Sequence, residues 1–337
     1  MSDNTIRKKA MAVQGLLGAV NEIEDMLDPE TGSVIVPDGF YSPGFWVALT
    51  AFFWRKRIPP DHIQISEKHR GYLSAIGFQR VLGNPDNFLF DRRNEGTNYS
   101  TLAHLDMPES TDNATSTINS CIRKSLGKEL PEQFVDMLCE VVGDLHANVW
   151  AHGKASGFSL AQKWRTPPWN PLSGDYCLEF ALADSGIGFL REVQNAGLAI
   201  TTDKEAIEWC IQEGHSTKKI RPVSEWAQRI PSDVIGNPLR GVEQARVTDN
   251  HHMGLGLYKL IRLVQEFRGS LWLATGASVL ELAPDCKPAY TDARHSWQGV
   301  AIACRFRSKG IRSVRLDIER GDKDIEEIMR IIGGNHD

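Results

Sequence analysis

PEQFVDMLCEVVGDLHANVWAHG, residues Pro131–Gly153, is the stretch on which the reading of this chain turns. Phe134, Val135, Leu138, Val141, Val142, Leu145 and Val149 recur at helical spacing and predict a helix with one buried face. Glu140, Asp144, Asn148 and His152 follow one another four apart, so they form a polar stripe along one side of that helix. An acid, an amide and an imidazole one turn apart suit a metal ion and an activated water or hydroxyl. Taken alone, they also suit a solvated helix face.

Downstream, Lys154–Asp175 reads as a polar turn, with Pro167, Pro168 and Pro171 excluding regular structure. Tyr176–Phe189 begins as a strand, with Tyr176, Leu178, Phe180 and Leu182 alternating, and runs into Asp184-Ser-Gly186-Ile-Gly188. A carboxylate at a strand end can accept a hydrogen bond from an exocyclic amine, and nearby glycines admit a flat base to the backbone. Asp, Ser and Gly are also the residues of an ordinary turn. A helix is expected over Asp203–Glu213, followed by His215, Ser216, Thr217, Lys218 and Lys219, then by a long polar stretch, Ile220–His252. Gly254-Leu255-Gly256-Leu257 opens a further helix, YKLIRLVQEFRG, whose free N–H groups suit phosphate oxygens. No strand precedes it as in a dinucleotide fold, and no Walker loop is present. Strands are predicted over Gly269–Thr275, Val279–Leu282 and Val300–Phe306, then a strand over Ser313–Ile318 and a helix over Asp322–Ile332.

Upstream, Ala12, Val13, Leu16, Leu17, Val20, Ile23 and Leu27 predict an amphipathic helix, a cap on the fold or an element that pairs two copies into a homodimer. Two strand–helix repeats follow: Ser33–Pro37 with Ser42–Arg57, capped by Ser42 with Pro43 in its first turn, and His62–Ser66 with Glu67–Leu82. Trp46, Phe52, Phe53 and Trp54 are expected in the core. Residues 84–115 are polar, with a domain boundary near their end, and a helix is expected from about Thr117 to Leu126.

The 337 residues, 41% hydrophobic and 24% charged with a net charge of −5, describe an ordinary globular chain of two domains. The charge balance does not favour nucleic acid. Six cysteines without a CxxC or other paired spacing read as reduced and structural. With no signal peptide and no apolar run of about eighteen residues, the expectation is a cytoplasmic protein outside the membrane.

The acid-x3-Asn-x3-His-Gly helix, the Asp-x-Gly-x-Gly after a strand and the Gly-x-Gly-Leu opening a helix, in that order, resemble the GHKL (Bergerat-fold, histidine kinase-like) ATP-binding domains. Sensor histidine kinases, anti-sigma kinases, gyrase-type topoisomerases, heat-shock chaperones and mismatch-repair proteins share this domain. The likeness spans about Glu132–Arg307 and is closest to the anti-sigma type, through Asn148-Val-Trp-Ala-His152-Gly153, GSLWLATGASV and SWQGVAI. Ahead of it, FYSPGFWVALTAFF and GYLSAIGFQRVLG, each after a strand, look like the STAS-like segment found before some bacterial ATP-binding proteins.

The resemblance implies an α+β chain: a small N-terminal α/β domain over residues 1–115, a GHKL domain over 116–310 built as a mixed sheet with helices on one face, and a tail over 311–337. It implies ATP and Mg2+ as cofactors and a protein partner. Asn148 would hold the magnesium, Asp184 the adenine amine, and Gly186 and Gly188 the purine. Gly254, Leu255, Gly256 and Leu257 would meet the phosphates, and Ser216, Thr217 and Lys218 would begin a lid. Asp144 stands where the family has glutamate as general base, one methylene shorter, and Gly299-Val300 stands where it commonly has Gly-Thr. The functions implied are ATP hydrolysis or Ser/Thr phosphotransfer coupled to a protein-interaction switch, or a catalytically inactive nucleotide-sensing or structural scaffold. A sensor histidine kinase is disfavoured, because His104 lies in a polar, proline-bounded segment and no phosphoacceptor helix precedes Glu132.

Overall fold

The computed structural model describes residues 13–86, 88–126, 130–149, 155–165, 175–217 and 256–314. The elements run β1 (Val13–Gln14), α1 (Leu16–Glu22), β2 (Val34–Val36), β3 (Phe40–Tyr41), α2 (Pro43–Lys56), β4 (Ile63–Ile65), α3 (Glu67–Ala75), α4 (Phe78–Val81), β5 (Ala103–Leu105), α5 (Pro108–Leu126) and α6 (Glu132–Asn148). After these come β6 (Gly157–Arg165), β7 (Tyr176–Asp184), α7 (Gly188–Asn195), α8 (Asp203–Cys210), α9 (Gly256–Glu266), β8 (Ser270–Leu282) and β9 (Ala289–Arg307).

The chain is α+β, and its main sheet has five strands in the order β5-β6-β7-β9-β8. All its pairings are antiparallel, so the mixed sheet expected from the sequence is corrected. Central β7 is buried along its whole length. Its alternation sorts side chains by face. Tyr176, Leu178, Phe180 and Leu182 join the core beneath α5, α6 and α9, with Phe134, Leu138, Val142 and Leu263. Ala181 and Ala183 join the opposite core with Phe158, Leu160, Ala301, Ala303 and the residues of α1 and α2. Helices therefore cover both faces, where the sequence reading expected one. The reason lies in the residues: the second face is lined with alanines, and α2 is buried from Pro43 through Phe53, which requires neighbours all round it.

The approach of α2 to the sheet is close. A Cβ on Gly44 would lie 2.9 Å from Ala303 Cβ. Ser42 occupies the N-cap of α2 but makes no capping bond. Its hydroxyl instead donates to Glu179 Oε1 (2.8 Å), which also accepts Gly44 N–H (2.7 Å). Arg305 donates to Glu179 Oε2 at 2.7 Å, and its guanidinium lies over the Trp164 and Trp272 rings. Glu179 is completely buried. Of the expected core aromatics, Trp46, Phe52 and Phe53 are buried and Trp54 is 39% exposed. Helix α1 packs in this same core, as a cap would.

Several local expectations differ. Gly157–Arg165, read as polar turn, is strand β6, paired to β7 over its whole length; its alternation of Phe158 and Leu160 with Ser159 and Ala161 is completed only by the partner strand. The helix expected from Thr117 starts at Pro108, because Thr111, Ala114, Ile118, Cys121 and Ile122 bury one face and leave the polar residues outside; it runs through the boundary expected near residue 115. Glu67–Leu82 divides into α3 and α4 at Gly77, whose φ of +75° no continuous helix allows. The N-terminal strands form two separate parallel pairs, β1 with β3 and β2 with β4. His104 sits in edge strand β5, its ring stacked on Phe158. Residues 308–314 are helical, so the strand expected over Ser313–Ile318 is corrected at its first two residues; the rest of it and the helix expected over Asp322–Ile332 lie outside the described residues. The cysteines are all free thiols. Among the described residues no helix is long and apolar enough to cross a membrane.

Removing the charge that closes the inter-layer contact tests this packing. Glu179→Gln leaves the half-buried Arg305 without its counter-ion and is expected to lower stability by about 3 kcal/mol in urea unfolding. A change within about 0.5 kcal/mol contradicts the account.

Candidate functional site

The parts singled out in the sequence converge on one cavity of ≈ 110 Å³ between α6, the end of β7, α7 and the start of α9. Leu145 and Val149 from α6, Leu182 from β7, and Val300 and Ile302 from β9 give it an apolar lining, and Asn148, Asp184, Gly188, Ser216, Thr217, Gly256 and Leu257 also line it. These last seven belong to the predicted set. Gly186 acts through its N–H, described below. Lys218, Gly254 and Leu255, with Lys219 and His152, lie outside the described residues.

Asp184 is the chemically distinctive group. It ends β7 with its side chain 6% exposed. Oδ1 accepts the N–H of Gly186 (2.8 Å) and of Val300 (3.3 Å), while Oδ2 takes no hydrogen bond among the described residues. Burial disfavours the charged form and outweighs the two N–H donors, raising its pKa from the ordinary 3.8 to about 6. Gly299 makes this turn feasible. Its φ is +89°, and a Cβ there would fall 2.4 Å from Asp184 O and 2.6 Å from Asp184 Oδ1. In the neighbouring strand, buried Thr275 donates to Gly299 O (2.8 Å) and accepts Phe189 N–H (3.3 Å).

On the opposite wall, Asn148 lines the cavity and its amide has no hydrogen-bond partner among the described residues. The first residue of α9 lies against this wall, where a Cβ on Gly256 would be 2.9 Å from Asp144 Cβ and 3.6 Å from Asn148 Nδ2. Only a glycine permits that approach. Asp144 itself is not among the cavity-lining residues. Its Oδ2 accepts from Lys259 Nζ (3.0 Å), which also reaches Glu140 Oε1 (2.6 Å). Burial works against the charge on Lys259, but the bonds from Glu140 and Asp144 prevail and raise its pKa. Two members of the polar stripe are thus bridged by a cation that the sequence reading missed, since α6 and α9 are far apart in the chain.

Other residues gave no signal in the sequence. Glu192 on α7, Trp209, Cys210 and His215 line the cavity, and Thr217 Oγ1 donates to Glu192 Oε1 at 2.9 Å. Burial pushes the Cys210 thiol up to about 12, which leaves it inert. His146, beside the polar stripe, is buried between Thr115 and Ser159 with its pKa lowered to about 3 by burial, so it is a neutral core residue.

The arrangement suits a flat apolar ring carrying a donor for Asp184 Oδ2, extended toward α9 by an anionic group. No group of three or more His, Cys, Asp or Glu side chains able to hold a metal occurs among the described residues. A cation here would rest on Asn148 and on oxygens of the ligand.

The raised pKa of Asp184 gives a signed expectation. Between pH 3.8 and about 6 the folded chain holds a proton that the unfolded chain has lost, so this group's contribution to stability is full below pH 3.8 and is lost as pH rises through about 6. Asp184→Asn should therefore gain on the native chain by about 2–3 kcal/mol between pH 4 and pH 7 in denaturant titrations. Parallel pH profiles would contradict the placement.

Comparison of the chain with protein-family models, with curated proteins and with solved structures gave no match.

Proposed function

We propose that the chain is a magnesium-dependent ATP-binding protein of the GHKL type, which hydrolyses ATP or transfers its terminal phosphoryl group to a Ser or Thr of a protein partner. The observation that carries the reading is the buried Asp184 carboxylate, with Oδ1 held by two backbone N–H groups and Oδ2 unpartnered among the described residues of an apolar cavity. Adenine offers an exocyclic amine to such an acceptor and a flat face to Leu182, Val300 and Ile302. The N–H groups at the start of α9 suit phosphates, and the Asn148 amide oxygen would help hold a phosphate-bound magnesium. Magnesium would neutralise charge on the phosphates. Asp144 takes the proton from a water or hydroxyl, whose oxygen attacks the terminal phosphorus as the bond to the bridging oxygen breaks and ADP leaves with the electron pair. The N-terminal layer, for which the STAS-like resemblance rests on its strand–helix alternation, is the partner-facing part of the switch.

One observation favours a second reading, a nucleotide sensor without turnover: Asp144 is engaged by Lys259 and does not line the cavity. A phosphate-release assay with magnesium separates the two, since the sensor binds ATP saturably and releases no phosphate.

In Asp184→Asn, Oδ1 must still face the N–H donors, so the new amide opposes the adenine amine donor to donor. Isothermal titration is expected to give ATP binding about 10- to 100-fold weaker; unchanged affinity removes the adenine assignment. Asp144→Ala should keep ATP binding within a few-fold and lose turnover by at least about 100-fold. Full turnover in that variant excludes Asp144 as base.

A further inference from the structure

Lys259 lies outside every motif, yet its position relative to the cavity is specific. Asn148 and Gly256 line the cavity, whereas Lys259, Asp144 and Glu140 lie past them, one or two helical turns along α9 and α6. If adenine sits on Asp184 and phosphates follow the start of α9, the end of the phosphate chain falls at this bridge. The ammonium spans Glu140 and Asp144 at 2.6 and 3.0 Å and is 23% exposed. An ammonium has three N–H donors, and among the described residues these two bonds are the only ones Lys259 makes, so a third remains. Without this cation, two carboxylates four residues apart on α6 would face a polyanion.

We propose that Lys259 is a terminal-phosphate sensor: anchored on Glu140 and Asp144, it donates its remaining N–H to the last phosphoryl group of a nucleoside triphosphate, so that the chain prefers triphosphate to diphosphate. This rests on the nucleotide reading above and adds to it a residue for which no motif speaks. A lysine suits the task, being a compact charge that bonds in several directions.

The test is calorimetric titration of the full chain, with magnesium, against ADP and the β,γ-imido analogue of ATP. The native chain should favour the triphosphate about tenfold or more, the scale of one charge-assisted hydrogen bond. Lys259→Met should abolish that preference while ADP affinity stays within about twofold, and Lys259→Arg should retain most of it. Glu140→Gln removes one anchor, keeps the cation and should preserve the preference, which covers the case in which the methionine variant does not fold. Equal weakening toward both nucleotides in Lys259→Met marks a merely structural bridge and overturns the proposal, as does a preference that survives the substitution or falls away in Glu140→Gln. A native chain that binds neither nucleotide overturns the nucleotide reading itself; one that binds both, with a preference indifferent to Lys259→Met, overturns the sensor alone.

Discussion

The carboxylate of Glu179 closes the contact between the sheet and its N-terminal layer, and the architecture depends on it. The group is completely buried, and the hydroxyl of Ser42, the N–H of Gly44 and the guanidinium of Arg305 supply its donors. A buried charge with one partner missing is expensive, so these residues must arrive together. That requirement brings α2 onto the alanine face of β7 and β9. The cavity on the other face is built on the same two strands, with Asp184 ending β7 and Gly299-Val300 in β9 shaping its turn.

Strand β7 therefore carries two buried carboxylates with different fates. Glu179 and Asp184 differ in parity, so they project to opposite faces of the sheet. Glu179 has a cation and a full set of donors. Asp184 has two backbone N–H groups on one oxygen, no cation among the described residues, and a pKa raised by burial to about 6. Folding gains nothing from ionising such a group, and an incompletely satisfied acid in an apolar slot is what a ligand-binding site looks like in energetic terms.

What could be read from the sequence follows what is local. The stripe of α6, the acid ending β7 and the glycine opening α9 are short patterns, and the structure brings Asn148, Asp184, Gly188, Gly256 and Leu257 to one cavity. Contacts between distant segments left no such trace. Strand β6 alternates only weakly and is defined by its pairing with β7; α7 follows a glycine-rich turn that masked its start; the Lys259 bridge joins helices more than a hundred residues apart. Glu179 reads as a polar interruption in a hydrophobic strand until Arg305 and Ser42 are beside it. The Gly299-Val300 pair is visible in the sequence, but the reason for its glycine shows only in a φ of +89° and in the Asp184 oxygens that a Cβ there would meet.

Asp144 and Asn148 divide the polar stripe by role: the amide faces the cavity, and the acid is held one turn away by Lys259. The central claim is nonetheless about Asp184, because the orientation of a nucleotide follows from the group its base meets first. Inosine triphosphate differs from ATP in carrying a carbonyl where adenine has its amine, so it presents an acceptor to an acceptor. Direct measurement of the affinities of the native chain for the two nucleotides, with magnesium at pH 7.5, is the sharpest test. The account predicts that inosine triphosphate binds at least about tenfold more weakly than ATP; equal affinities would contradict it.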